Sequence, residues 1–229
     1  MHRINIYSLI VLIIAAACLV LYLASGLLAS KSKARQNDIG IALVGLCTLA
    51  VALFHANPIA CNCFVLSLAL VAGMLLSRTI GSMGAFSASL IAASVADLLS
   101  TLIGPTKWLV DQTQNPQHFA QFHGVAILQY LTLSIRLRGY LVPVIGFGDL
   151  LFFALCAFVT RRFGWPRVAV FFVPLAGILA ALGVALVIVR PVPAIPFIAA
   201  AVIGYVYAAS PRKCPPVGAS ALKPGRSVL

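Results

Sequence analysis

Glutamate is absent from this chain, and the only acidic residues are Asp38, Asp97, Asp111 and Asp149. That scarcity excludes a glutamate-dependent HExxH metalloprotease. Charge of any sign is thin, at 9% of residues, against 62% hydrophobic and a mean hydropathy of +1.08. No water-soluble core of 229 residues absorbs that much apolar side chain, so an all-α polytopic membrane protein is expected. Also missing is any CxxC pair: Cys18, Cys47, Cys61, Cys63, Cys156 and Cys214 lack the regular spacing of a disulfide framework, and most sit as packing residues inside apolar segments. His55 with Cys61 and Cys63 has no fourth ligand at a zinc-finger spacing, so no metal is expected. There is no GxSxG elbow and no histidine at bilayer depth to suit a serine hydrolase.

What the chain does have is long apolar segments. Seven can be drawn, about Ile4 to Leu28, Ile39 to Phe54, Ile59 to Leu76, Met83 to Ile103, Tyr140 to Val159, Val168 to Val189 and Val192 to Ala209, most near the roughly 20 residues that cross a bilayer. About seven transmembrane helices are therefore expected. The first run resembles a signal sequence but is too long and lacks a small-x-small cleavage site, so it is kept as a membrane helix. His55-Ala56-Asn57-Pro58 predicts an uncharged tight turn between the second and third segments. No inverted repeat of the transporter kind is present.

The net charge of +12 comes from 16 basic residues that fall mainly at the ends of apolar runs. They do not form a patch with interleaved aromatics, so they read as orienting and headgroup-binding charges, with the lipid bilayer and not nucleic acid as partner. With seven spans, Lys31, Lys33, Arg35, Arg78, Arg161, Arg162, Arg167 and the basic tail share one side. The positive-inside rule then predicts an outside N-terminus and a cytoplasmic C-terminus. Residues 1–80 are read as a three-helix scaffold, 81–209 as a four-helix catalytic region, and 210–229, with prolines, basic residues and no acid, as a disordered tail at the inner leaflet.

The connection from Gly104 to Gly139 ends in Tyr130-Leu131-Thr132-Leu133-Ser134-Ile135-Arg136-Leu137-Arg138, which alternates polar and apolar with period two. Two expectations stay open for it: an amphipathic interfacial segment, or a short β-strand between helices four and five whose exposed edge pairs with an extended substrate.

Two aspartates lie within apolar runs, where an ionised carboxylate costs roughly 2.5 to 3.5 kcal/mol on insertion scales. Ser87, Ser94, Asp97 and Thr101 share one helical face, as do Gly146, Asp149, Cys156 and Thr160. A polar stripe in lipid must face the bundle interior. Two carboxyls brought together in a low-dielectric site share a proton. In that state one takes a proton from water while the other polarises a scissile carbonyl, with no metal or other cofactor needed. Gly146 and Gly148 remove bulk beside Asp149. Pro191, Pro193 and Pro196 hold back a regular helix start, leaving irregular backbone at membrane depth that only protein or a water-filled cavity can satisfy.

Asp97 in one segment, Gly146-Phe147-Gly148-Asp149 in the next, one further segment and then Pro193-Ala194-Ile195-Pro196 resembles the presenilin and signal peptide peptidase family of GxGD intramembrane aspartyl proteases, whose YD, GxGD and PAL motifs come in that order. The resemblance covers about residues 85 to 209. It implies a protease acting on transmembrane or signal-peptide substrates, with Asp97 and Asp149 as the dyad and Gly146, Phe147, Gly148, Pro193, Ala194, Ile195 and Pro196 as scaffold or substrate-binding residues. The chain departs from the pattern at Ala96, where the family has tyrosine, and at Ile195, where it has leucine. Three segments, not five, precede the first aspartate. The competing expectations are a proton- or cation-coupled transporter or channel using the same aspartates, a prepilin-peptidase-like GxGD enzyme, and a catalytically dead relative.

Overall fold

The computed structural model describes residues 6–53, 57–103, 131–137, 140–188 and 192–209. Among them are seven helices and one two-stranded sheet: α1 (Ile6–Ala29), α2 (Lys33–Leu53), α3 (Pro58–Thr79), α4 (Met83–Ile103), β1 (Thr132–Leu137), β2 (Tyr140–Gly146), α5 (Phe147–Arg162), α6 (Arg167–Ile188) and α7 (Ile195–Ala209). The basic tail 210–229, His55 and residues 104–130 of the long connection lie outside the described residues.

Four helices are long and apolar enough to cross a bilayer: Leu9–Ala29 within α1, and α3, α4 and α6. Of the other three, α2 is diluted by polar first turns, while α5 and α7 are short. α2 begins at Lys33, ahead of the predicted start at Ile39, so its first turns carry Lys33, Arg35 and Asp38. Ser32 explains the early start: its carbonyl accepts from the Gln36 N–H at 2.9 Å and its hydroxyl caps the Arg35 N–H at 3.4 Å. α7 has 15 residues. α5 has 16, about 24 Å of helix at 1.5 Å per residue.

The fifth apolar segment corrects the sequence expectation. Hydropathy predicts one helix over Tyr140 to Val159, yet Tyr140–Gly146 is strand β2 and the helix starts at Phe147. Pro143 would cost a helix interior a hydrogen bond to the preceding turn, and with β-branched Val142, Val144 and Ile145 around it this stretch favours extended backbone. β2 runs antiparallel to β1, with Leu137 opposite Tyr140, Ser134 opposite Pro143, Leu133 opposite Ile145, and an irregularity between Leu133 and Ser134 that leaves Val144 as the extra residue. The strand alternative for residues 130–138 therefore holds over Thr132–Leu137, and it has a partner that the period-two pattern alone did not reveal.

The outer edge of β1 is not open. Asn62 of α3 donates from Nδ2 to the Ser134 carbonyl at 2.7 Å and accepts from the Ser134 N–H at Oδ1 at 2.8 Å. In an antiparallel ladder one residue's N–H and C=O point to the same side, so Ser134 turns its backbone away from β2. Its partner Pro143 turns away from β1 in the same way, where its missing N–H costs no ladder bond.

α5 lies at the centre of the bundle. Phe153 to Thr160 are all buried, and α1, α3, α6 and α7 surround them. Close backbone approach is secured by Gly73 of α3, where a Cβ would fall 2.8 Å from Ala154 Cβ and 2.9 Å from Leu155 N. Gly177 of α6 does the same for α7. α2 rests on α3, and α4 rests on α7. Large apolar side chains point outward instead of inward, among them Ile41, Ile103 and Val187 at 73%, 79% and 82% exposure; such a surface suits lipid and not water.

Basic residues gather at one end. Arg78 Nη1 donates to Asn37 Oδ1 at 2.7 Å and Nη2 to Gln36 Oε1 at 2.9 Å, while Arg162 Nη1 donates to the Ile80 carbonyl at 3.2 Å. Arg161 donates from Nη2 to the Tyr22 carbonyl at 2.9 Å, with its guanidinium carbon 4.2 Å from the Tyr22 ring centre. These contacts join the α1–α2, α3–α4 and α5–α6 turns on one side. The hairpin and the N-termini of α5 and α7 lie at the other.

Candidate active site

The Gly146-Phe147-Gly148-Asp149 stretch takes its shape from the strand-to-helix junction. Gly146, extended at φ −75° and ψ 153°, is the N-cap of α5, which makes Phe147, Gly148 and Asp149 its first three helical residues. Asp149 thus stands in the third helical position, where an acidic side chain reaches back to the N-cap N–H, and the Gly146 backbone is hydrogen-bonded to its carboxylate. Far from the mid-helix carboxylate that a continuous apolar run implied, Asp149 sits at the positive end of a helix dipole, which favours negative charge there.

Asp97 comes from the other side of the cavity. Ser87, Ser94, Asp97 and Thr101 are half-buried along the inner face of α4, while Val95, Leu98 and Leu99 point outward. Ser94 and Thr101 satisfy their hydroxyls on their own helix, at the Leu90 carbonyl (2.7 Å) and the Asp97 carbonyl (2.8 Å). Neither competes for the carboxylate. The Asp97 carboxylate receives the backbone N–H of Ile195, and its Oδ2 is buried with no hydrogen-bond partner among the described residues.

The proline motif explains why that N–H is available. Ala194 precedes α7 and its carbonyl accepts from Phe197 N (3.1 Å) and Ile198 N (3.0 Å). Pro196 has no N–H to offer, so Ile195 supplies the donor of the first turn that faces the cavity. The helix starts at Ile195, ahead of Pro196 and not after it as the prolines had suggested; in the first turn a proline loses no i−4 bond.

Both carboxyls line one cavity of about 580 Å³, within the range of small-molecule and peptide sites. They lie close enough to act on one another electrostatically. Gly146, Phe147, Gly148, Pro193, Ala194 and Ile195 line it with them, whereas Pro196 does not. The GFGD and proline stretches meet directly: a Cβ on Gly148 would stand 3.9 Å from Ile195 Cδ1. That spacing is ordinary contact. Gly148→Ala is accordingly expected to fold with unchanged or slightly higher thermal stability in detergent, by up to about 1 kcal/mol from the helix preference of alanine, while narrowing the cavity beside Asp149.

Further residues line the cavity that no sequence pattern marks. Ile14 of α1, Thr132 of β1 and Ile178, Ala181 and Leu182 of α6 also line the cavity. Apolar residues facing a cavity carry no sequence signal that separates them from lipid-facing ones. Asn62 did carry a signal: an amide inside an apolar segment must find partners, and it sits between the two cysteines that drew attention as ligands. Cys61 is buried and Cys63 exposed, neither in a disulfide, and among the described residues no group of three or more His, Cys, Asp or Glu side chains is placed to hold a metal.

Ala96 is exposed and does not line the cavity. The side chain that precedes Asp97 therefore projects away from the carboxyls in this structure. No family model, no curated protein and no solved structure matches the chain.

Proposed function

We propose that the protein is an intramembrane aspartyl protease that hydrolyses peptide bonds of transmembrane segments, with Asp97 and Asp149 as its dyad, in the manner of presenilin and signal peptide peptidase. The observation that carries this reading is that two carboxyls line one cavity, one of them with a buried oxygen that has no partner among the described residues. An unpaired buried acceptor is costly. A substrate carbonyl, brought in with a proton shared by the pair, removes that cost.

In the hydrolysis, a carboxylate takes a proton from water, whose oxygen bonds to the scissile carbonyl carbon. The protonated partner donates to the carbonyl oxygen. Collapse of the tetrahedral species breaks the C–N bond, and the amine leaves with a proton from the dyad. The helix N-termini at Asp149 and Ile195 hold the carboxyls in place throughout.

The substrate strand would add to β2. The β1 edge, which the alternating sequence pattern had suggested for this purpose, is taken up at Ser134 by Asn62. The far edge of β2 has no strand beside it among the described residues. It leads directly into Gly146 and Asp149. We further propose that all seven helices span the bilayer, with the basic end cytoplasmic and the N-terminus outside.

The reading is tested in liposomes of defined lipid that hold the full chain and a labelled single-span substrate. Cleavage within the span, blocked by a transition-state analogue of aspartyl proteases, is the expected result. Proton or cation flux that depends on both aspartates, with no peptide product, would overturn it in favour of a transporter.

A further inference from the structure

Asn62 is a polar side chain on an otherwise apolar stretch of α3, and it spends both ends of its amide on one residue of the hairpin. Its Nδ2 donates to the Ser134 carbonyl at 2.7 Å and its Oδ1 accepts the Ser134 N–H at 2.8 Å. That is the pair of bonds a third β-strand would make at this point. α3 is among the most firmly held helices of the bundle, with Val65 and Ala69 fully buried and Gly73 in backbone contact with α5. The hairpin thus hangs at Ser134 from a rigid element.

The attachment falls where register is otherwise loosest. The ladder is irregular between Leu133 and Ser134, where Val144 is left as the extra residue. Because side-chain facing in a strand has period two, a slip of one residue reverses every side chain. Here a slip would also move Gly146, the N-cap that fixes Asp149, since Gly146 pairs with Thr132 two residues before Ser134. Thr132 and Ser134 hydroxyls are 3.0 Å apart, so the same short stretch of β1 touches the cavity at Thr132 and α3 at Ser134.

We propose that Asn62 is a positioning residue for cleavage: acting as a one-residue strand surrogate, it fixes the register of the β1–β2 hairpin against the dyad and so determines which substrate bond meets Asp97 and Asp149. This rests on the protease reading above. It has two consequences. Asn62 closes the β1 edge, leaving β2 as the edge for an incoming segment, and it sets the distance between that edge and the carboxyls.

The test uses the full chain in liposomes with Asn62→Leu, which removes both bonds, and Asn62→Asp, which keeps the acceptor for the Ser134 N–H but loses the donor. Hydrogen exchange at the Ser134 amide and the masses of the cleavage products are read together. Asn62→Leu is expected to speed exchange at Ser134 by at least about fivefold, which corresponds to the roughly 1 kcal/mol of one lost hydrogen bond. It is also expected to spread cleavage to neighbouring bonds and raise KM more than it lowers kcat. Asn62→Asp is expected to show the same changes in weaker form. Faster exchange with an unchanged product pattern and unchanged KM would make Asn62 merely structural and overturn the proposal, as would unchanged exchange in Asn62→Leu. If the wild-type chain yields no product while Ser134 exchange still responds to Asn62, the failure lies in the protease reading, and the positioning role falls with it.

Discussion

Asp149→Asn is expected to slow cleavage of a single-span substrate by about 10²- to 10⁴-fold, the range for loss of a positioned acid–base group, and Asp97→Asn by a similar factor. The double variant is expected to lose little more than either single one. Two carboxyls that share one proton act as a unit, and removal of either disables the unit, so their effects do not multiply. Asparagine preserves the shape of each side chain. At position 149 its amide oxygen still accepts from the Gly146 backbone at the start of α5, and at position 97 it still accepts from Ile195. Thermal unfolding in detergent should therefore change far less than the rate. The check is initial rates by quantitative mass spectrometry of products, with unfolding of each variant measured alongside. Losses that multiply in the double variant would mean that the two carboxyls work independently, and the shared-proton mechanism would fail.

The candidate site was legible in sequence where burial in lipid is expensive. Two carboxylates in apolar runs demand an explanation because their cost exceeds that of almost any other single residue in a membrane, and the serine and threonine spacing on α4 showed which way Asp97 faces. The proline stretch was legible for the same reason, since a missing N–H is fixed by covalent structure. What sequence did not show was the local frame of Asp149. Hydropathy treats Tyr140 to Val159 as one apolar block, and a buried strand and a buried helix look alike on that scale. Pro143 and the β-branched residues around it were the distinguishing signal, and they convert Asp149 from a mid-helix anomaly into the third residue of a capped helix. This change lowers the cost of an ionised carboxylate at that position, because helix dipole and N-cap N–H both favour it. The departure at Ala96 also loses weight, as its side chain is exposed and turned from the cavity. Helix–helix neighbours were the least legible feature. Small-residue contacts such as Gly73 against Ala154 become visible only when the two helices are placed together.

Gly177→Ala is expected to be among the most disruptive single-methyl additions outside the dyad. A Cβ at position 177 would fall 2.6 Å from Ile198 Cα and 2.7 Å from Ile198 N, both backbone atoms of α7 that no rotamer change can move. α7 must then back away from α6, at a cost of about 1 to 3 kcal/mol for overpacking. The displacement reaches the chemistry. α7 carries the Ile195 N–H that holds Asp97, and α6 carries Ile178 and Ala181 on the cavity wall, one residue and one turn beyond Gly177. Cleavage should fall together with thermal stability, in contrast to the dyad variants, where it falls alone. Gly183→Ala supplies the matched control on the same helix, since a Cβ there meets none of the described residues within 4 Å. Relieving a glycine from a helix interior should make it neutral or more stable by up to about 1 kcal/mol. Equal behaviour of the two variants would place α7 elsewhere than against Gly177. It would also remove the physical reason why the start of α7 faces Asp97, because the close approach at Gly177 is what brings the proline stretch within reach of the carboxyls.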